Sequence, residues 1–161
     1  MFVSNTSTLI LLAKAGALSI FLDDAREIII PKIVCDEIKN KDSFEVLLIE
    51  KEIKNNRIKI IEVDKKYYEH IIKQFKLDDG EAAAYCLFKK EKGKAVLTDD
   101  RELIKLCRIE NIPFIVAMAV IVRLFKKGKM KNDEAISQLK KLYGYGRYSK
   151  EIYEHFKSEV K

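Results

Sequence analysis

The sequence contains few of the side chains from which zinc sites and Ser-His-Asp hydrolases are built. His70 and His155 are its only histidines, and both kinds of site depend on histidine. The three cysteines, Cys35, Cys86 and Cys107, are odd in number and lack metal-ligand spacing. We therefore predict reduced thiols buried in helices, and we set aside zinc proteins and triad hydrolases.

Long apolar runs and a basic amino terminus are also missing. The best apolar stretch, residues 112–122, is eleven residues long and contains Pro113, whereas a membrane-spanning helix needs about 20 apolar residues. Polar side chains at positions 4–7 interrupt the start of the chain, and no basic residue precedes them. We therefore expect neither a signal peptide nor a membrane anchor, and we expect a cytoplasmic protein.

The composition as a whole is typical of a globular protein. Of the 161 residues, 48% are hydrophobic, which is enough for one domain with a sizeable core. No internal repeat or low-complexity linker divides the chain. We predict a single domain over residues 1–161, with its core at about 1–128 and C-terminal helices at about 129–161.

Short apolar segments alternate with helical segments along the chain. This alternation predicts an α/β fold, in which a parallel sheet carries helices on both faces. Strands are expected at residues 1–4, 27–30, 57–63, 95–97 and 113–116. Helices are expected at residues 9–15, 18–22, 32–39, 64–76, 100–110, 118–127, 133–142 and 150–160, with one more ending near residue 55 and one following the acidic residues at 78–81.

Carboxylates collect on either side of the fourth expected strand. Asp78, Asp79 and Glu81 begin the helix before it, and Asp99 and Asp100 follow its last residue. In open α/β sheets the carboxyl ends of the strands form the edge at which ligands bind. Each acid also has an ordinary alternative role as a helix cap or turn residue, since a carboxylate accepts bonds from free N–H groups.

Other polar side chains follow the remaining strands in the same way. Asn5, Glu37, Glu81 and either Asp99 or Asp100 each stand just after a strand or in the opening turns of a helix. A parallel sheet would bring them together at one edge, where carboxylates repel one another unless a cation binds. Magnesium or manganese suits such oxygen ligands and phosphate oxygens. The set therefore predicts metal-assisted hydrolysis of phosphodiester bonds.

The positive charge of the chain lies in its last third. Residues 117–161 hold 11 Lys and Arg against 5 Asp and Glu, while residues 1–116 hold 20 of each. A basic flank beside an acidic cleft suits a polyanion such as RNA. We predict that Lys126, Lys127 and Lys129 contribute to RNA binding; the alternative is a solvated lysine-rich surface.

The segment Gly144–Tyr148 is rich in tyrosine and has two possible roles. Tyr143, Tyr145 and Tyr148, together with Arg147, offer surfaces on which bases stack. Tyrosines at such a join also pin a terminal helix to the body of a protein, and we favour that interpretation.

Five motifs in order give the chain a resemblance to a known family. It is similar to PIN domains, in particular to the uncharacterised prokaryotic branch related to the toxin-like ribonucleases of toxin–antitoxin pairs. The motifs are VSNTSTLILLAKAGAL, IIIPKIVCDEI, LDDGEAAAYCL, VLTDDREL and LKKLYGYGRYSKEIYEHF. The resemblance covers nearly the whole chain and implies a single PIN-like domain, with a five-stranded parallel sheet of order 3-2-1-4-5, flanking helices and a C-terminal helical extension.

The resemblance also implies roles for individual residues. The first acid of the family is replaced by Asn5, which offers a carbonyl oxygen but no charge. Ser7 matches a hydroxyl that usually follows that acid, and Arg101 is expected to contact phosphate. The turn at 117–119 has no polar side chain where relatives often place one. The acids that match the family's metal ligands are Glu37, Glu81 and one of Asp99 or Asp100.

Two functions from different classes follow from these residues. The first is a toxin-like endoribonuclease that depends on Mg²⁺ or Mn²⁺, with Asn5 completing the catalytic set. The second is a non-catalytic RNA-binding or protein-interaction module whose metal site is degenerate. The expected partners are RNA, a cognate antitoxin-like protein and a second copy of the chain in a homodimer.

Overall fold

A five-stranded sheet forms the centre of this computed structural model, which describes residues 1–161. Its strands are β1 (Phe2–Ser4), β2 (Ile28–Pro31), β3 (Ile58–Ile61), β4 (Ala95–Leu97) and β5 (Phe114–Ile115). All neighbouring strands are parallel, and they lie in the order β3-β2-β1-β4-β5. The fold class and the strand order expected from the sequence are confirmed.

Ten α-helices and one 3-10 turn connect and follow the strands. The helices that precede β4 are α1 (Thr6–Ala15), α2 (Leu18–Ala25), α3 (Lys32–Lys39), α4 (Phe44–Lys54), α5 (Glu69–Gln74) and α6 (Asp79–Glu91). Those that follow it are α7 (Arg101–Ile109), α8 (Ala117–Lys126), α9 (Asn132–Gly144) and α10 (Lys150–Ser158). The 3-10 turn is Lys65–Tyr67.

The sheet separates two hydrophobic cores. Because successive side chains on a strand point to opposite faces, Phe2 packs into one core while Val3 packs into the other. Helices α1, α2, α3, α4, α8, α9 and α10 supply the larger core. Helices α5, α6 and α7 supply the smaller core. With both faces covered, the central strands are continuous apolar runs, as buried parallel strands usually are.

The sequence prediction was wrong between residues 64 and 76. It expected one helix there, but the chain forms the 3-10 turn and the short helix α5, with Tyr68 between them at φ −123°. The Asp64 side chain accepts a bond from the Lys66 amide at 3.0 Å, which caps the 3-10 turn. Tyr68 leaves the helical conformation and is itself buried in the smaller core.

The last two helices pack against each other and against the body of the fold. Tyr143 of α9 stacks on Tyr153 of α10, with ring centroids 4.5 Å apart. Ala135, Leu139 and Leu142 of α9 are fully buried in the larger core. The C-terminal helical extension is therefore attached by apolar contacts along its length.

The cysteines are reduced, as expected, but they are not all buried. Cys35 and Cys107 are buried, and burial raises the pKa of both thiols. Cys86 is partly exposed and donates a weak bond to the Tyr67 carbonyl oxygen at 3.4 Å. Each cysteine lies in a helix, as the sequence predicted.

None of the helices is long and apolar enough to cross a membrane by itself. The paired helices α1 and α2 reach the required length and composition together, but the chain bends by 114° between them.

Candidate functional site

A cleft of about 700 Å³ opens at the carboxyl edge of the sheet. Its walls come from the residues that follow β1, from α3, and from the amino termini of α6 and α7. Parallel strands place all of these segments at the same edge, which is where open α/β sheets bind ligands. The cleft is lined by Asn5, Thr6, Ser7, Ile10, Leu11, Lys14, Glu37, Asn40, Lys41, Asp78, Glu81, Asp100, Tyr145 and Arg147.

Glu37 reaches the cleft from the second turn of α3. Thr6 donates a hydrogen bond of 2.7 Å to its carboxylate. The carboxylate lies so close to Gly80 that a Cβ atom on that residue would be 2.5 Å from Oε1. Gly80 belongs to the first turn of α6, so the positive end of that helix faces the Glu37 carboxylate. Burial raises the pKa of Glu37, and the bond from Thr6 opposes that rise.

Glu81 and Asp78 form a capping box at the start of α6. The Glu81 amide donates to Asp78 at 2.8 Å, and the Asp78 amide donates to Glu81 at 3.0 Å. The pKa of Glu81 is raised to about 8, because its carboxyl group is buried and because Asp100 and Asp78 stand nearby with negative charge. Burial and these neighbouring charges therefore favour the protonated form of Glu81.

Asp100 has its carboxyl group beside that of Glu81 and also caps a helix. Its carboxylate accepts from the Leu103 amide at 2.8 Å, at the start of α7. The cap interpretation from the sequence is thus confirmed for Asp78 and Asp100, and Glu81 completes one of the two caps. Glu37 caps no helix, so helix capping does not account for its place in the cleft.

Asn5 lies at the base of the cleft and is 3% exposed. Its amide nitrogen donates to the Thr98 hydroxyl at 3.0 Å, and its amide oxygen accepts from the Ser7 hydroxyl at 3.0 Å. The same two hydroxyls accept from the amides of Asp99 and Asp100. Asn5 and Ser7 therefore hold the end of β1 to the end of β4, and Asn5 brings no negative charge.

Asp99 and Asp100 have different surroundings, although the sequence left them as alternatives. The Asp99 carboxylate turns away from the cleft. It accepts from the Thr8 hydroxyl at 2.6 Å, from the Ala117 amide at 3.1 Å and from the Tyr148 hydroxyl. It thereby ties α1, the start of α8 and the segment before α10 to one point. Burial raises the pKa of Asp99, and these donors oppose the rise.

Three basic side chains line the same cleft as the carboxylates. They are Lys14 of α1, Lys41 after α3, and Arg147 between α9 and α10. Lys14 was missed by the sequence analysis, although its spacing from Ser7 carries the signal: residues seven apart lie on the same face of a helix. Arg101 begins α7 but does not line the cleft.

The basic side chains that the sequence favoured lie elsewhere. Lys126 pairs with Glu159, and Lys127 pairs with Asp24 at 3.0 Å. Both lysines are at the C-terminal end of α8, and Asp24 is near the start of β2, so these pairs are at the sheet edge opposite the cleft. The basic flank of the cleft comes from other residues.

The candidate ligands in the cleft suit a magnesium or manganese ion by their chemistry, but they are spaced too widely to hold one ion as they stand. Carboxylate and amide oxygens are the ligands that these ions prefer. No three acidic, histidine or cysteine side chains stand close enough to hold one ion. The carboxylate oxygens of Glu37, Glu81 and Asp100 accept hydrogen bonds from Thr6 and from backbone amides. A bound cation would compete with these donors for the same oxygens.

Comparison with known proteins agrees with the motifs found in the sequence. A family model described as a PIN domain matches residues 1–161. No curated protein shows significant similarity to the chain.

The two neighbouring aspartates should differ in their effect on stability. Asp99→Ala leaves three donors without an acceptor, and we expect a loss of about 2–4 kcal/mol. Asp100→Ala removes one cap, for which we expect a loss of about 1 kcal/mol. Urea unfolding in EDTA measures both. Equal losses, or a larger loss for Asp100→Ala, would contradict the separation of their surroundings.

The raised pKa of Glu81 predicts a pH-dependent stability. Because the folded-state pKa of about 8 exceeds the ordinary value of 4.5, folding takes up a proton between these pH values. The stability contributed by that proton is fully present below about pH 4.5 and is lost as the pH rises through about 8. Glu81→Gln mimics the protonated form and escapes this loss.

We expect the free energy of unfolding of Glu81→Gln, relative to the unmodified chain, to increase from pH 5 to pH 8 in EDTA. Glu69→Gln, at an exposed position outside the cleft, is the matched control and should show no such trend. A constant difference for Glu81→Gln across this range would show that its carboxyl group titrates normally.

Proposed function

We propose that this chain, which belongs to the PIN domain family, is a divalent-metal-dependent endoribonuclease that hydrolyses RNA phosphodiester bonds. The observation that carries the proposal is the cleft itself. Carboxylates from three separate segments and the side chains of Lys14, Lys41 and Arg147 line one cleft of about 700 Å³ at the carboxyl edge of the sheet. The carboxylates suit a metal ion, and the basic side chains suit the phosphates of a polyanion.

Glu37, Glu81 and Asp100 are the residues that we propose as metal ligands. Asp100 is preferred to Asp99, whose carboxylate is engaged with three other donors outside the cleft. The oxygen of Asn5 is available as a neutral ligand if Ser7 releases it. A bound Mg²⁺ or Mn²⁺ would lower the pKa of a water molecule and stabilise negative charge on the leaving oxygen.

The protein itself orients the reacting groups in this proposal. Thr6 holds the Glu37 carboxylate in place, and Asp78 holds Glu81 through the capping box. Ser7 and Thr98 fix the Asn5 side chain. Each proposed ligand is therefore positioned by a neighbour, as a preorganised site requires. Arg101 has no support from its position, and Lys14, Lys41 and Arg147 replace it as the proposed phosphate contacts.

A second function is favoured by one observation, the neutral base of the cleft. Asn5 is buried and both ends of its amide are bonded within the protein. The start of α8, Ala117-Met118-Ala119, adds no polar side chain. A chain with one carboxylate fewer than its relatives would bind metal more weakly. The alternative is a non-catalytic module that binds RNA or protein through the same cleft.

The family resemblance leads us to propose two protein partners, a second copy of the chain and an antitoxin-like protein. Phe44 and Leu47 support a protein contact, since they stand one turn apart on α4 and are 68% and 61% exposed. Light scattering on the purified chain, with its mass compared with 18.7 kDa for one copy, checks the homodimer.

Divalent ions should stabilise the chain, and Asn5→Asp should strengthen that effect. At 100 times its Kd an ion that binds only the folded state adds about 2.7 kcal/mol, which raises the Tm by roughly 5–10 °C in a domain of this size. We expect weak RNA cleavage in the unmodified chain. Asn5→Asp supplies the missing charge and should raise both metal affinity and cleavage; Glu81→Gln should abolish both while leaving a folded protein.

Asn132→Asp, which adds the same charge outside the cleft, is the control for Asn5→Asp. Melting curves with and without Mn²⁺ and a labelled-RNA cleavage assay measure the two effects. If Asn5→Asp changes neither and Glu81→Gln is silent, the carboxylates are caps alone, and the non-catalytic module becomes the better account.

A further inference from the structure

The three tyrosines around the Gly144–Tyr148 segment have different surroundings. Tyr143 is stacked on Tyr153, and Tyr148 bonds to Asp99. Both therefore pin the C-terminal helices, as the sequence analysis favoured. Tyr145 differs from them, because its side chain lines the cleft and its ring is 42% exposed. An exposed aromatic ring at the mouth of a polar cleft has no role in the core.

Contacts to α1 hold the Tyr145 ring in place. Its hydroxyl group donates to the Lys14 carbonyl oxygen at 3.5 Å, and the Lys14 ammonium lies 5.0 Å from the ring centroid. The ammonium thus covers one face of the ring in a cation–π contact. A ring that is already oriented loses little conformational entropy when a flat ligand stacks on it.

Arg147 follows Tyr145 by two residues in the chain. Gly146 lies between them with φ +79°, a left-handed conformation that favours glycine. On the other side, Tyr148 is tied to Asp99. The residues on both sides of Arg147 are therefore anchored, and the Arg147 side chain lines the same cleft as Tyr145 and Lys14.

We propose that Tyr145, Lys14 and Arg147 form a nucleotide subsite, in which the tyrosine stacks on an unpaired base and the two cations hold the phosphates beside it. The inference rests on the proposed function, since it says which part of the RNA substrate these three side chains bind. The carboxylates of the cleft repel phosphate, so the backbone of the ligand lies along the cations. A base can stack on Tyr145 only when it is unpaired, which makes single-stranded RNA the ligand.

Binding of two probes of equal charge tests the stacking step. The first is a fluorescein-labelled eight-nucleotide oligo(U) RNA. The second is a base-free oligomer of the same length, made of tetrahydrofuran phosphates. Fluorescence anisotropy measures both Kd values, and every variant is made in the Glu81→Gln background so that the RNA stays intact.

We expect Tyr145→Leu to weaken oligo(U) binding about tenfold and to change binding of the base-free probe less than twofold. Tyr145→Phe should keep most of the affinity for oligo(U). Tyr67→Leu is the matched control: Tyr67 is 60% exposed with Lys66 over its ring at 5.1 Å, but it does not line the cleft. That variant should bind both probes normally.

The salt dependence of binding tests the phosphate contacts of Arg147. Arg147→Gln should weaken both probes equally and should flatten the salt dependence, by about 0.7 in the slope of log K against log salt for each phosphate that the arginine neutralises. Arg108→Gln, which removes a guanidinium that lies over Phe114 outside the cleft, is the control and should leave the slope unchanged.

The outcomes separate this inference from the proposed function. If the reference chain binds oligo(U) but Tyr145→Leu weakens both probes equally, or neither, the ring only positions its loop and the subsite is overturned. If Arg147→Gln leaves the salt slope unchanged, the phosphate contact is overturned. If the reference chain binds neither probe, the RNA-directed function fails and the subsite fails with it.

Discussion

The carboxylates at the carboxyl edge of the sheet repel one another, and the rest of the cleft is arranged to offset that repulsion. Glu37, Asp78, Glu81 and Asp100 all line it, and bulk water screens their charges only in part, because Glu37 and Glu81 are half-buried. The protein offsets the repulsion in three ways: the amino termini of α6 and α7 face the carboxylates, Thr6 donates to Glu37, and the raised pKa of Glu81 favours its protonated form. A divalent cation would take the place of that proton.

The helix caps and the candidate ligands are largely the same residues. Asp78 and Asp100 each satisfy a backbone amide at the start of a helix, and those caps also fix where the carboxylates point. Structural and functional interpretations are therefore not alternatives for these side chains. Gly80 shows the closest fit, because its missing Cβ leaves the space in which the Glu37 carboxylate lies.

Asp99 joins this edge of the sheet to the C-terminal helices. Its carboxylate accepts from α1, from the start of α8 and from Tyr148, while the next residue along the chain faces the cleft. Two adjacent aspartates thus support two different parts of the protein. The position of Arg147 depends on the first, and the protonation of Glu81 depends in part on the charge of the second.

With the strand order supplied by the family resemblance, sequence pattern was sufficient to predict the sheet and the segments that meet at its carboxyl edge, because apolar periodicity and parallel connections leave few arrangements. It also identified Asn5, Glu37 and Glu81, whose places follow from strand ends and helix starts. The choice between Asp99 and Asp100 needed the folded chain, since it depends on donors 18 and 49 residues away in the sequence. The folded chain was also needed to show which lysines line the cleft. Lys14 lines it, whereas Lys127 pairs elsewhere with Asp24, which is 103 residues away in the sequence. Local pattern does not encode such pairings, because they arise only when folding brings remote charges within a few ångströms of one another.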